Sequence, residues 1–174
     1  AGGGARYNWS VINVMGLANA VDSLAAIKTL VYDEGKVSAL SVAEALEADF
    51  DGYEELRSRL VRAPRYGNSD LEADDIAQNL SSFVFENLLS RTAWRGGPFV
   101  PSCLMFTTYA WFGRSGGATP EGRKSGEPIA YSAGPYPGRN NNGPRGIVLS
   151  PPNLCQRHAP ERLVVNIPLS PWQF

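Results

Sequence analysis

Cys103, Cys155 and the single histidine, His158, are the first side chains to weigh as a thiol nucleophile and its base. Cys155 and His158 stand three positions apart, close enough to pair a thiol with an imidazole. A working nucleophile also needs a third group to orient its base, and nothing in the neighbouring sequence marks one. The cysteines are 52 positions apart and follow no CxxC or Cys/His spacing, so they read as small apolar core residues and not as metal ligands. The segment Gly117-Ala118-Thr119-Pro120-Glu121-Gly122-Arg123-Lys124-Ser125 approaches a phosphate loop and misses it by one residue. Such a loop needs its lysine directly after the second glycine; Arg123 intervenes, and Pro120 removes a backbone N–H from the cradle. Arg123 is the candidate loop cation, with the bonding of loop carbonyls as its competing role. No Gly-x-Gly-x-x-Gly stretch follows a strand, so a dinucleotide fold is not supported. Asp70, Glu72, Asp74 and Asp75 crowd a predicted helix start, where the helix dipole accounts for them without a metal.

Charge and length narrow the function classes. Sixteen Lys and Arg against 17 Asp and Glu leave no basic footprint for nucleic acid. No apolar run approaches the roughly 20 residues of a membrane-spanning helix, and the chain is expected to be soluble and cytoplasmic. Its 174 residues suit one domain.

The elements that must position these residues divide along the chain. Leu17, Val21, Leu24, Ile27 and Val31 recur at three and four, predicting an amphipathic helix within Val14–Asp33 that stops at Gly35. Ser41 with Glu44, and Asp51 with Glu54, read as capping boxes of two more helices, the second ended by Pro64. A fourth opens at Asp70 or Asp74, carries Ile76, Leu80, Phe83, Val84 and Leu88, and breaks at Gly96-Gly97-Pro98. Residues 1–97 are therefore the expected helical part, and 98–174 the strand and loop part. Ser102–Phe112, rich in aromatic and β-branched residues, predicts a strand buried on both faces, with Cys103, Met105, Thr107, Tyr109 and Trp111 on one side. Gly113–Gly146 holds nine glycines and five prolines, a loop system. Short strands are predicted at Gly146–Ser150 and Leu163–Leu169. Helices first and strands later fit α+β, or an α/β barrel taken out of context.

Four blocks in order carry a resemblance. Gly3-Gly4-Ala5-Arg6-Tyr7-Asn8 resembles a GGA(K/R)YN motif, and the helix Gly16–Lys28 resembles the one that follows it. Ala63-Pro64-Arg65-Tyr66-Gly67-Asn68 is similar to an APKYGN turn, and Gly116–Pro128 to GGATPDGRxxGEP. Together they resemble the glycyl radical enzymes of the pyruvate formate-lyase superfamily, and the first block resembles its dehydratase branch. The resemblance implies a partial slice of a ten-stranded α/β barrel, in which a backbone glycyl radical oxidises a cysteine to a thiyl that attacks a small substrate. It implies cleavage of a C–C bond, as in pyruvate formate-lyase (formate acetyltransferase), or of a C–O bond, as in diol, glycerol or hydroxyproline dehydratases. It also implies a separate activating enzyme using S-adenosylmethionine and an iron–sulfur cluster, with no cofactor held by this chain.

In that family the thiyl segment precedes the first block and the radical glycine loop follows the last. The chain is thus expected to be an internal piece with no catalytic residue of its own, inactive alone and partnered by the rest of the parent enzyme. A homodimer is compatible with this, and so is a non-catalytic piece that joins a partner chain. Thr107, Tyr109 and Trp111 are the substrate-pocket candidates. The sequence departs from the family at Tyr131, where an acid is usual, at Arg145-Gly146, and at Pro151-Pro152-Asn153.

Overall fold

The computed structural model describes residue 4 and residues 9–94, 96–139, 141–159 and 162–167. Strand β1 (Ser10–Asn13) leads into helix α1 (Leu17–Ile27), which continues as a π-helical stretch over Lys28–Asp33. Helices α2 (Ala39–Glu47), α3 (Glu54–Arg62) and α4 (Leu71–Leu89) follow. Then come β2 (Phe99–Cys103), α5 (Thr108–Ser115), α6 (Gly143–Leu149) and β3 (Arg162–Leu163). The Gly3–Asn8 block, Gly4 apart, lies outside the described residues, as does the predicted strand Leu163–Leu169 from Pro168 onward; of its described part only Leu163 lies in a strand, and 164–167 are irregular.

The four early helices form as their periodicity predicts, with corrections in phase. The buried face of α1 is Leu17, Ala18, Val21, Asp22, Ala25 and Ala26, while Leu24 of the predicted stripe is exposed. Helix α4 answers with Ala73, Ala77, Ser81 and Phe85, four residues apart, and Phe83 points outward. Small side chains on both helices let α1 and α4 pack directly against each other, which favours the alanine faces over the bulkier predicted ones. Two of the predicted caps also move. Ser38, not Ser41, caps α2 by accepting the Ser41 N–H at 2.9 Å, and Asp51 makes no cap on α3. Asp70 caps α4 as predicted, accepting from the Glu72 and Ala73 amides at 3.1 and 3.2 Å. Helix α3 stops before Pro64, with Ala63 extended at ψ 163°.

The strands form a parallel sheet in the order β1-β2-β3, with helices crossing between them as parallel neighbours require. Ser10 pairs with Phe99 and Asn13 with Ser102; Ser102 pairs in turn with Arg162 and Cys103 with Leu163. A proline in a middle strand is unusual because it lacks a ladder donor. The Val14 N–H reaches the Ser102 carbonyl and the Val164 N–H reaches the Cys103 carbonyl, so alternate residues of β2 face opposite neighbours. Pro101 therefore turns its missing donor toward β3, one position before β3 begins.

The predicted strand Ser102–Phe112 is corrected: extended pairing ends at Cys103, and Thr108–Ser115 is helical. Met105 satisfies its backbone through a side chain instead of a neighbouring strand. Its N–H donates to Ser132 Oγ at 2.9 Å, and that hydroxyl lies 3.1 Å from the Met105 carbonyl. The aromatic and threonine content of the segment is a weak preference that this environment overrides. The predicted strand at Gly146–Ser150 is also a helix, α6, which opens on Gly143-Pro144; proline at a helix start is a start signal.

One core gathers Leu17, Val21, Tyr66, Ala77, Phe85 and Cys103 between α1, α4 and β2. A second gathers Ala26, Leu30, Ala45, Phe50 and Leu60 between the end of α1, α2 and α3. Among the described residues no helix is long and apolar enough to cross a membrane.

Candidate functional site

In sheets of parallel strands, ligand sites lie beyond the carboxyl ends of the strands. Here the chain leaves β1 through Val14-Met15-Gly16, β2 through Leu104–Thr107, and β3 through Val164–Ile167. One segment, Ala130–Gly134, ties the exits of β2 and β3 to helix α1. The Ala130 amide donates to Asn19 Oδ1 at 2.7 Å, the Ala133 amide to the Val164 carbonyl at 2.8 Å, and Ser132 holds Met105. Tyr66 Oη adds a bond to the Ala133 carbonyl at 2.9 Å. Ser132 sits at φ 55°, a left-handed conformation uncommon for serine, kept by the bonds on either side of it.

Of the predicted pocket residues, Thr107 precedes α5 and is exposed, while Tyr109 and Trp111 lie within the helix. Positions two apart on a helix point roughly 200° apart, so these three do not share a face as they would on a strand. Tyr109 packs on Tyr131, ring centroids 5.2 Å apart. Trp111 stands outward with its ring edge to Phe112, centroids 5.1 Å apart. Phe106, just after β2, is 80% exposed, and sequence reasoning missed it because a strand assignment placed Phe106 and Phe112 on the opposite side from Trp111.

The Gly116–Pro128 loop is organised by two buried charged residues. Arg123 donates from Nη1 to the Glu127 and Lys124 carbonyls at 2.8 and 3.2 Å, from Nη2 to the Gly117 carbonyl, and from Nε to Thr119 Oγ1 at 3.1 Å. It is 2% exposed and bonds loop carbonyls, the second of its two predicted roles. Glu121, 1% exposed, accepts from Asn19 Nδ2 at 2.7 Å, Ser23 Oγ at 2.6 Å and Thr119 Oγ1 at 2.8 Å. The loop is thereby anchored on α1, whose Asn19 also holds Ala130. Arg139 closes the cluster by donating to the Glu121 carbonyl at 2.6 Å.

Asp22, beside this cluster, has its carboxyl pushed up to about 7 by burial, against the opposing pull of the Tyr66 amide and the Arg65 charge. A raised native value means the folded state holds a proton that the unfolded state has already lost. Stability is then expected to fall as pH rises from about 4 to about 7, by up to about 4 kcal/mol from this group. Asp22→Asn keeps the acceptor for Tyr66 and should remove that dependence. Urea unfolding of both proteins across this range, taken as a difference, checks it.

The acidic residues near α4 disperse instead of converging. Asp70 caps the helix, Glu72 meets Lys28 at 2.7 Å, and Asp74 accepts from Asn153 at 2.9 Å. Among the described residues no three His, Cys, Asp or Glu form a metal-holding set.

Cys103 is buried in the core, where desolvation pushes its thiol up to about 12. Cys155 Sγ does lie 3.1 Å from His158 Nδ1, and Glu86, invisible to sequence spacing, supplies a third group 3.3 Å from the same nitrogen. Thiol and carboxylate compete for one ring atom, so Glu86 does not orient the imidazole from its far side as a catalytic triad requires. In the native protein a disulfide reagent should titrate the half-buried Cys155 and leave Cys103 unreacted until denaturant is added.

Comparison with known proteins settles the family. The family model "Pyruvate formate lyase-like" matches residues 1–113. The chain belongs to that family. It is 35% identical over 149 residues to trans-4-hydroxy-L-proline dehydratase of Clostridioides difficile, covering 85% of this chain and 19% of the relative. To isethionate sulfite-lyase of Bilophila wadsworthia it is 38% identical over 147 residues, covering 82% and 17%. Among solved structures, the glycerol-bound B12-independent glycerol dehydratase from Clostridium butyricum superposes with TM-score 0.90 at 35% identity, over 94% of this chain and 21% of that one. A glycyl radical enzyme from Archaeoglobus fulgidus superposes with TM-score 0.86 at 34% identity, over 92% and 20%. The chain thus spans about a fifth of the length of these glycyl radical enzymes, and its mixed helix and strand fold is that of the matching part.

Proposed function

We propose that this chain forms part of the wall of a glycyl radical reaction chamber that eliminates a leaving group from a small polar substrate. The observation that carries the reading is the superposition on glycerol dehydratase over nearly the whole chain, 94%. The other relatives named above are a hydroxyproline dehydratase and an isethionate sulfite-lyase, which favours elimination over the acetyl transfer of a formate-lyase. On this reading the thiyl cysteine and radical glycine come from polypeptide other than these 174 residues. An activating enzyme installs the radical in an anaerobic, cytoplasmic setting, and the thiyl takes a hydrogen atom from substrate to start the elimination. The chain's own part is to shape and dry the chamber. The carboxyl edge of the sheet, with Thr107 at the foot of α5, faces the chamber; the exposed aromatic side chains of Phe106, Trp111 and Phe112 exclude water. Tyr109 supports them from behind, and Arg123 keeps the adjoining loop closed.

The test replaces the matched segment of the C. butyricum glycerol dehydratase with this chain and activates the chimera anaerobically. Aldehyde released from glycerol, or elimination from hydroxyproline or isethionate, supports the reading. Acetyl transfer from pyruvate, or a radical-bearing chimera that eliminates from none of the three, overturns it.

A further inference from the structure

Helix α4 carries a later segment of the chain along one flank. Asp74 accepts from Asn153 Nδ2 at 2.9 Å, and Ser81, seven residues on and so on the same face, accepts the Cys155 amide at 2.9 Å. Pinned at both points, the chain makes a 3-10 turn over Gln156–His158 that brings His158 against Glu86 of the same helix. Two groups then meet one ring nitrogen: the Cys155 sulfur stands 3.1 Å from His158 Nδ1, and the Glu86 carboxylate 3.3 Å from it. Neither Cys155 nor His158 belongs to the strand exits assigned to the chamber, since both precede β3.

The carboxylate decides which way the sulfur contact runs. An ionised Glu86 can only accept, and a bare ring nitrogen would turn a lone pair toward it, so Nδ1 carries the proton. The sulfur beside that N–H is therefore the acceptor and not the donor. An N–H held against sulfur favours the thiolate, the form in which cysteine attacks. The group is also open to solvent. Cys155 is half-buried, and the His158 and Glu86 side chains around it are 36% and 59% exposed. Cys103, enclosed in the core, has neither the donor nor the access.

We propose that Cys155 is a modification site, a nucleophilic thiol that exchanges with small disulfides under the direction of His158. The thiolate attacks one sulfur of the disulfide; a new S–S bond joins that half to Cys155, the old S–S bond breaks, and the other half leaves as a thiolate that takes up a proton from water. Cys155 is oxidised and the departing half reduced, and a free thiol reverses the exchange.

The native chain is treated with glutathione disulfide at neutral pH, and the product is mapped by peptide mass spectrometry. The mixed disulfide is expected on Cys155 and not on Cys103. His158→Ala should slow the exchange about threefold to tenfold, because the thiolate lost with the N–H is partly offset by the greater nucleophilicity of a more basic sulfur. A second measurement needs no variant. The sequence has one histidine, so 15N labelling reports a single imidazole, whose Nδ1 should bear a proton at neutral pH. A native chain left unmodified at Cys155, a rate unchanged or raised in His158→Ala, or a bare Nδ1 would overturn the proposal.

Discussion

Glu121→Ala is expected to lower folding stability by about 3–5 kcal/mol, which for one domain is a large share of the roughly 5–15 kcal/mol available. The cost arises from what the carboxylate leaves behind. Asn19, Ser23 and Thr119 all direct donors at it, and each buried donor without an acceptor costs about 1–3 kcal/mol. Hydroxyls recover part of this by rotating, but the Asn19 amide cannot turn without releasing the Ala130 amide. The damage therefore travels from the loop to the segment that crosses the strand ends. Glu121→Gln keeps an acceptor for Asn19 and Thr119, and Ser23 can turn its hydroxyl to accept, so about 1–2 kcal/mol is expected there. Urea unfolding of the three proteins orders them; an alanine variant within 1 kcal/mol of the parent, a threshold well below the expected loss, would show that Glu121 is not the anchor.

Gly67→Ala should be comparably damaging for a steric reason. Gly67 has φ +89°, and a methyl added there would lie 2.3 Å from Pro135 Cβ and 2.7 Å from its Cγ. A left-handed alanine costs about 1–2 kcal/mol, and forcing apart two rigid backbone segments costs about 1–3 kcal/mol more. Gly52→Ala provides the control: its φ is +77°, but nothing lies within 4 Å of the added atom. It should lose only the conformational part. Thermal unfolding of the two variants distinguishes a close approach from a backbone preference, and equal losses would dismiss the contact with Pro135.

Local signals were the legible part of the fold. Helices α1 to α4 follow from period and breakers, and Asp70 and Pro64 mark ends that the structure keeps. The phase of each helix was less visible, because alanine and serine carry little hydrophobic signal and yet decide how closely α1 and α4 approach. The passage from β2 into α5 was hidden for a different reason. Whether Met105 continues a strand depends on Ser132, 27 residues away, whose hydroxyl replaces a neighbour's backbone.

The site divides in the same way. The four sequence blocks pointed to the family, and Arg123 stood out as a loop cation, but the convergence on Glu121 spans 98 and 102 positions and left no trace in spacing. Thr107, Tyr109 and Trp111, expected within a strand, follow β2 in and before α5 and lose the common face that a strand would have given them.

On the proposed reading these residues are a section of a larger wall, and strands from the rest of the enzyme pair with the outer edge of β1. In β1 the Ser10 and Val14 amides bond toward β2, so those of Val11 and Asn13 point to the outer edge. Amide hydrogen exchange measures this directly. In the isolated chain Val11 and Asn13 should exchange at nearly the rate of unstructured peptide while the Val21 amide in α1 is protected, and both edge amides should slow by orders of magnitude when the chain stands in the frame of glycerol dehydratase. Strong protection of Val11 and Asn13 in the isolated monomer would contradict the account.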